Sequence, residues 1–417
     1  MKKYKLGELL TVKHGWAFKG EFFAETGQWS ILTPGNFYDK GGFKRNDERE
    51  RYYTGDFPVE YLSHKGDLIV AMTEQAAGLL GSTAIIPEDD RYLHNQRIGL
   101  ITCNEKIDKM FAYYLFMTKS VREQISRTSS GTKVKHTSPE KIYDVEVEIP
   151  DISMQKKIAN ILWTIDTKIE CNSRINDNLQ QMAKTIYDYW FTQFDFPDAN
   201  GKPYRSSGGQ MVWNEQLKRE IPVGWTVGSI VDNPISSVIK PGVEHFTLKE
   251  YLATAEVNGT AISNGTIIAY DNRESRANMQ PTINSVWFAK MKNSIKHLFL
   301  NKEMQPLIDG VILSTGFCGI QCEEVAFEYI SSFISSDYFE IIKDILAHGA
   351  TQEAVNNEDM LSIRILIPDD TTLSKYHEAT KAIFSQISKN ICENRQLIQL
   401  RDWLLPMLMN GQATVAD

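Results

Sequence analysis

Cysteine is scarce and unpatterned in this 417-residue chain. The five thiols (Cys103, Cys171, Cys318, Cys322, Cys392) are odd in number, and no further Cys or His pair stands behind Cys318 and Cys322 to complete a zinc site. Reduced thiols of a cytoplasmic protein fit this usage better than a disulfide framework. Long hydrophobic runs are missing too. The start, "MKKYKLGELLTVKHGW", offers an apolar stretch too short for a secretory signal, and no segment reads as a membrane span. No Gly-rich cofactor loop and no G-x-x-x-x-G-K-[S/T] phosphate loop occur. Positive charge is in deficit, with a net of −8.

Net charge alone does not decide partners, because only a contacting surface must be basic. Residues 122–141 carry five Lys/Arg against two acids, and residues 270–302 hold Arg273, Arg276, Lys290, Lys292, Lys296 and Lys302 against Asp271 and Glu274. Either stretch could equally be a solvated face.

The chain repeats itself. Ile149-Pro150-Asp151 returns as Ile367-Pro368-Asp369, an offset of 218 (367 − 149). The register holds upstream, pairing Gly131-Thr132 with Gly349-Ala350. Downstream it pairs Ile165 with Ile383, Ile169 with Ile387, Leu179 with Leu397, Met182 with Leu400 and Ile186 with Leu404. Ahead of each matched segment lie β-like runs such as "GDLIVAM", "STAIIP", "RIGLITC", "SVWFAKM" and "DGVILST". Amphipathic helices follow near 109–127 and 324–346. The fold class expected is mixed α/β (α+β). Between the copies, residues 194–225 are turn-rich and read as a connector.

From Ile158 apolar residues recur at steps of four and three: Leu162, Ile165, Ile169, then Leu179, Ala183, Ile186 and Trp190. A helix of about 40 residues would be roughly 60 Å long. Its single seam needs a partner, and the second copy supplies the matching one. Asn172 and Asn176 interrupt the seam, and Asn390 and Asn394 do so in the second copy. Laid antiparallel, the helices bring the four amides together. A buried amide without a polar partner is costly, so these residues are expected to fix register. A partly solvated middle that merely tolerates them is the competing account.

The strings "YDYWFTQFDFPDANGKPYRSSGGQMVWNEQLKREIPVGW" (187–225), "PDISMQKKIANILWTIDTKIECNSRINDNL" (150–179) and "RANMQPTINSVWFAKM" (276–291) resemble the specificity (S) subunits of type I restriction–modification systems. The resemblance extends over essentially the whole chain and is strongest over 150–225. It implies two target-recognition domains separated by two long antiparallel coiled-coil helices, in a pseudo-twofold internal repeat. The corresponding divisions are 1–150, the first target-recognition domain; 151–192, a central long helix; 193–220, the connector; 221–368, the second target-recognition domain; and 369–411, the C-terminal long helix. It further implies double-stranded DNA and two modification (M) subunits as partners, with restriction (R) subunits added. S-adenosylmethionine would belong to the modification subunits, and ATP and Mg to the restriction subunits, with no cofactor in this chain. The second helix departs modestly from the first: Arg401 falls on its seam, and Pro406 is expected to end it early.

The residues support a non-catalytic role on their own. The Asn/Asp-Pro-Pro-aromatic tetrad of adenine methylases is absent, Asn233-Pro234-Ile235 being the nearest approach. Pro150-Asp151 with Asp166-x-Lys168 mimics a nuclease set. That chemistry needs carboxylates converging from strands around magnesium, however, and the second copy carries Phe384 and Gln386 instead. No catalytic and no metal residues are expected. For DNA contact, basic and amide side chains on loops are the candidates. These are Lys13, Lys19, Asn36, Gln75, Lys133, Lys135 and His136 in the first lobe, and Arg273, Arg276, Asn278, Gln280, Lys290 and Lys292 in the second. A tandem scaffold for non-nucleic ligands is the alternative, and salt-sensitive DNA affinity separates the two.

Overall fold

In a computed structural model of the chain, the described residues are 1–417 without 46–49, 75, 77, 132–133, 350–352 and 416–417. They form two compact units, 1–166 with 400–417 and 167–399. Thr132 and Ala350 of the paired turns lie outside the described residues.

The offset of 218 governs elements as well as letters. Helices Lys109–Leu115, Lys119–Thr128 and Pro139–Tyr143 of the first unit return as Phe327–Ile334, Asp337–Leu346 and Asn357–Met360 of the second. Strand Glu146–Ile149 returns as Arg364–Ile367. Each of these strands pairs antiparallel with a strand near the start of its own copy, Lys2–Lys5 in one case and Thr226–Ser229 in the other.

The single amphipathic helix expected near 109–127, and again near 324–346, is two helices in each copy. The break has a local cause. The Thr118 hydroxyl donates to the Leu115 carbonyl at 2.7 Å, and the Ser336 hydroxyl to the Phe333 carbonyl at 2.6 Å. Both residues are extended, with ψ of 143° and 147°. A hydroxyl that satisfies the last carbonyls of one helix offers the backbone an alternative to continuing it.

Each unit is built on the same antiparallel order of four strands. In the first it is Leu10–His14, Ile98–Cys103, Leu68–Ala71 and Thr83–Ile85. In the second, Ser236–Val238, Phe317–Cys322, Ser285–Ala289 and His297–Leu300 follow the same order within a larger sheet. A smaller sheet in each contains a parallel pair, Trp29–Ile31 with Tyr92–Leu93 and Lys249–Leu252 with Val311–Ser314. Inward-facing residues such as Leu68, Val70 and Ile101, or Val286, Phe288 and Ile320, close the cores against the short helices.

The long helices run Ile152–Tyr187 and Asp370–Met409. The repeated Ile-Pro-Asp is their start signal. Asp151 accepts from the Met154 amide at 3.0 Å, and Asp369 from the Thr372 amide at 3.0 Å, each an N-terminal cap. The Met154 amide bond holds the Asp151 carboxyl below the usual carboxylate range. At Asp369 burial works the other way, yet bonds from Thr372 and from the Trp225 indole hold that carboxyl low as well.

Pro406 does not end its helix, which continues to Met409. A proline removes one intrahelical donor, but Leu408 and Met409 are buried in the core of the first unit, and that packing carries the last turn. Beyond Tyr187 the first helix runs through a wider turn, Asp188–Thr192, into the connector. There Met211–Asn214 and Arg219–Pro222 form a hairpin, and Phe191, Phe194, Phe196 and Trp225 pack together in the core of the second unit.

Candidate nucleic-acid interface

At one end of the first unit's main sheet, successive strand ends and loops are laced by backbone hydrogen bonds. The Trp16 amide donates to the His94 carbonyl (2.8 Å) and the Gln96 amide to the Trp16 carbonyl (3.1 Å). Met72 donates to Arg97 (3.0 Å), Thr137 to Met72 (3.0 Å) and Glu74 to Lys135 (2.9 Å). The result is a continuous edge whose outer side chains are exposed: His14, Gln96, Arg97, Lys135 and His136. The approach is close at Gly15, where a Cβ would lie 2.3 Å from the Asn95 backbone, so only glycine lets the two segments meet. His94 sits beneath this edge. Its Nε2–H donates to the Ile98 carbonyl at 2.8 Å, and burial pushes its pKa down to about 4, with Lys13 acting in the same direction.

The second unit repeats the lacing 218 residues on, save that Gly316 stands 219 residues after Arg97. Val355 donates to Lys290 (3.0 Å), Lys292 to Glu353 (3.0 Å) and Lys290 to Gly316 (3.0 Å). Paired bridges match as well, Thr73 with His136 and Met291 with Ala354. Here the flanking segment is Ala277–Met279, whose Asn278 carbonyl accepts from Gly242 (2.8 Å), while the Arg276 carbonyl accepts from Thr315 (2.8 Å).

The sequence candidates distribute unevenly. Lys135 and His136 lie on the first edge. Lys135 reaches Ser126 Oγ (3.2 Å) and Glu74 (3.9 Å), and His136 Nδ1 lies 3.1 Å from Thr73 Oγ1. Lys13, one residue before the strand end, is over the Tyr61 ring at 4.4 Å and 3.5 Å from Glu60. Lys19 is exposed on the separate turn at Gly20–Phe22. Asn36 is not brought to the edge: it is 3 % exposed, its oxygen accepts from the Thr33 amide (2.8 Å), and its Nδ2 donates to the Lys44 carbonyl (3.4 Å). Gln75 and Lys133 lie outside the described residues. Within the basic stretch, Arg122 is occupied by the carbonyls of Asp39 and Gly78.

In the second unit Arg276 is exposed at the edge, and Asn278, Lys290 and Lys292 are half-buried along it. Lys292 is paired with Glu353 at 2.6 Å, which raises its pKa. Arg273 stacks on Tyr270, 3.9 Å from the ring centre, and bonds its carbonyl. Gln280 accepts from Lys249 (3.4 Å) and donates to the Pro281 carbonyl (3.2 Å). Sequence reasoning missed Gln96, Arg97 and His14. "RIGLITC" reads as strand from Arg97, whereas the strand is Ile98–Cys103 and the run "HNQR" before it is the loop that carries Gln96 and Arg97; His14 is the last residue of strand Leu10–His14.

The four seam asparagines meet. Asn172 Nδ2 donates to Asn394 Oδ1 (2.9 Å) and Glu393 Oε2 (2.7 Å), and Asn390 Nδ2 donates to Asn176 Oδ1 (2.8 Å). Asn176 and Asn394 donate in turn to the carbonyls of Ile387 (3.4 Å) and Ile169 (3.2 Å) on the opposite helix. The pairs advance along one helix as they retreat along the other, which is antiparallel packing. Asn172, Asn176 and Asn390 are 1 %, 6 % and 4 % exposed and Asn394 is half-buried, so three of the four amides are withdrawn from water. The bond from Asn172 keeps the Glu393 carboxyl low, with Lys168 3.1 Å away.

Arg401 departs from the apolar seam because it has a partner. Its Nη1 lies 2.9 Å from Asp166 Oδ1, and the Tyr114 hydroxyl donates to Asp166 Oδ2 at 2.6 Å. The nuclease-like set is thereby occupied otherwise: Asp151 caps a helix, Asp166 holds Arg401 and Tyr114, and Lys168 pairs with Glu393.

Residues 1–181 match the type I restriction modification DNA specificity domain family. The chain is 24 % identical to the MjaIX specificity subunit of Methanocaldococcus jannaschii, with 78 % of this chain and 73 % of that protein covered. It is 22 % identical to the HindI specificity subunit of Haemophilus influenzae, with 78 % and 82 % covered. The solved type I restriction–modification S subunit from M. genitalium shares the fold, with a TM-score of 0.56 at 15 % identity over 98 % of this chain and 96 % of that one.

Proposed function

We infer, from its resemblance over most of its length to the specificity subunits of type I restriction–modification systems, that this chain is the non-catalytic DNA-specificity subunit of such an enzyme. The observation that carries the reading to residues is the duplicated edge. The same backbone ladder, 218 residues apart, presents exposed Arg97, Lys135 and His136 in one unit and Arg276 in the other. Each unit reads one half of a bipartite target, with lysines and backbone amides on phosphates and arginine or amide side chains on base edges.

The long helices set the unspecified gap between the half-sequences and dock two modification subunits, one per copy of the repeat. Trp163 and Trp403, 41 % and 59 % exposed and both in the first unit, are apolar surface that one of these subunits would cover; the repeat places Lys381 and Thr185 at the corresponding positions. The assembled complex methylates adenine at N6 and, with restriction subunits, cleaves DNA. S-adenosylmethionine belongs to the modification subunits, and ATP with Mg to the restriction subunits.

The test is an exchange. Replacing residues 1–150 by the first lobe of another family member, in the assembled methylase, alters one half of the methylated sequence and leaves the other intact. A change in both halves overturns the division of labour. DNA affinity that does not fall with ionic strength favours the scaffold reading instead.

A further inference from the structure

Sheet register fixes which residues of the two edges correspond. Ala71 pairs with Ile98 and Ala289 with Phe317, each at the first residue of its strand. The residue just before that strand is Arg97 in the first unit and Gly316 in the second, and each offers its carbonyl to the equivalent amide, Met72 or Lys290. The second unit therefore has no side chain of its own at this point. Arg276 comes to it from a different segment. Its carbonyl is fixed by the Thr315 amide at 2.8 Å, and its Nη2 lies 3.4 Å from where a Cβ on Gly316 would stand. Thr254 Cγ2 would be 3.0 Å from the same Cβ, so glycine leaves the room the guanidinium uses. One topological point thus presents an arginine in each unit, by two unrelated routes.

Three lysines of the edges stand beside carboxylates, Lys13 by Glu60, Lys135 by Glu74 and Lys292 by Glu353, and Lys290 is half-buried. Among the described residues neither Arg97 nor Arg276 has a carboxylate partner, and both are exposed. A guanidinium carries a rigid fork of donors that matches O6 and N7 of guanine, and it need break no ion pair to use it.

We propose that Arg97 and Arg276 are the specificity-determining arginines of the first and second units, each reading a guanine in the major groove of its own half-site. The proposal rests on the DNA-recognition reading above. The test uses the full chain assembled with modification subunits and maps methylated adenines over a randomised target library. Arg97→Ala relaxes one position of one half-site, with discrimination falling about tenfold or more, and Arg276→Ala does the same in the other half only. Arg97→Lys keeps charge and stem but does not restore the base choice, because an ammonium cannot make the forked contact. It carries the same test should Arg97→Ala melt early.

An unchanged motif with uniformly weaker binding, and a salt slope reduced by about one, makes these arginines phosphate contacts and overturns the proposal. So does relaxation of the same half by both variants. A wild-type complex without any bipartite motif overturns the underlying reading instead, so the two failures are distinguishable.

Discussion

Asn390 and Asn176 face each other across the two long helices, with Nδ2 of the first 2.8 Å from Oδ1 of the second. Both are nearly buried, at 4 % and 6 % exposure, and Asn390 Oδ1 is itself capped by Gln386 Nε2 at 2.8 Å. An amide pair of this kind adds little net stability, since the bonds replace bonds to water, but either amide left alone is expensive. A slip of one helix by four residues would bring Asn176 opposite Asn394, or Asn390 opposite Asn172, keeping one amide pair of the two and breaking the other. The amides are therefore expected to cost more in a wrong register than they contribute in the right one.

Asn176→Leu alone should lower stability by about 1–3 kcal/mol in urea denaturation, because Asn390 loses its acceptor inside the seam. Asn172→Leu, Asn176→Leu, Asn390→Leu and Asn394→Leu combined should melt higher than wild type yet permit alternative registers. In the assembled methylase the readout is a map with mixed gap lengths. A stabilised quadruple variant that keeps one gap would refute the register role.

Asp166 and Arg401 invite a transplant. In the repeat they correspond to Phe384 and Ala183, which lie in the apolar core of the second unit. Arg401→Ala alone leaves Asp166 largely buried with only Tyr114 for support, and should cost about 3 kcal/mol. Adding Asp166→Phe copies the second unit's solution and should recover most of that loss. The pair of melts, single against double, decides the matter; a double variant weaker than the single would show that shape, not charge, sets this layer.

Much of the architecture was legible because it was written twice. Ile-Pro-Asp, the seam spacing and the paired asparagines depend on local periodicity and on capping, both of which a sequence exposes. The breaks at Thr118 and Ser336 were not legible, since a hydroxyl that turns back on its own helix looks like any helical serine or threonine until its rotamer is known. Pro406 misled for the opposite reason: its cost is local, whereas the burial of Leu408 and Met409 that outweighs it is tertiary. The exposed edge was half legible. Lys135, His136 and Arg276 stood out by composition. Arg97 was hidden at the mouth of a strand, and Asn36, a good base reader by type, serves a turn instead. Loop residues of one composition divide into structural and free ones only through three-dimensional partners.

Trp163 and Trp403 should matter to assembly and not to folding. Each exposes a large aromatic surface in the free chain, so Trp163→Ser with Trp403→Ser should leave the melting temperature near wild type. Affinity for modification subunits should fall about tenfold or more, as loss of an aromatic anchor usually brings. Co-purification ratios measure this directly, two modification subunits per wild-type chain and fewer in the variant. Unchanged assembly would move the docking surface elsewhere on the chain.

His94 should make the exposed edge of the first unit sensitive to acid. Burial lowers its pKa from 6.5 to about 4, so the folded protein holds this imidazole neutral where the unfolded chain would already be charged. The sign follows from proton uptake: below pH 6.5 the unfolded state binds the extra proton, and stability falls with pH until the folded pKa near 4 is reached. The full loss across that window is about 3 kcal/mol. His94→Gln keeps a donor for the Ile98 carbonyl and removes the titration, so its urea midpoint should fall less between pH 7 and pH 4.5 than that of wild type. Protection of the Trp16 and Gln96 amides, which donate to the His94 and Trp16 carbonyls, should fall with acid in wild type and not in the variant, each exchange rate being taken relative to that of the unfolded amide at the same pH. Equal acid sensitivity in both proteins would assign the loss to other groups and leave His94 a passive strut.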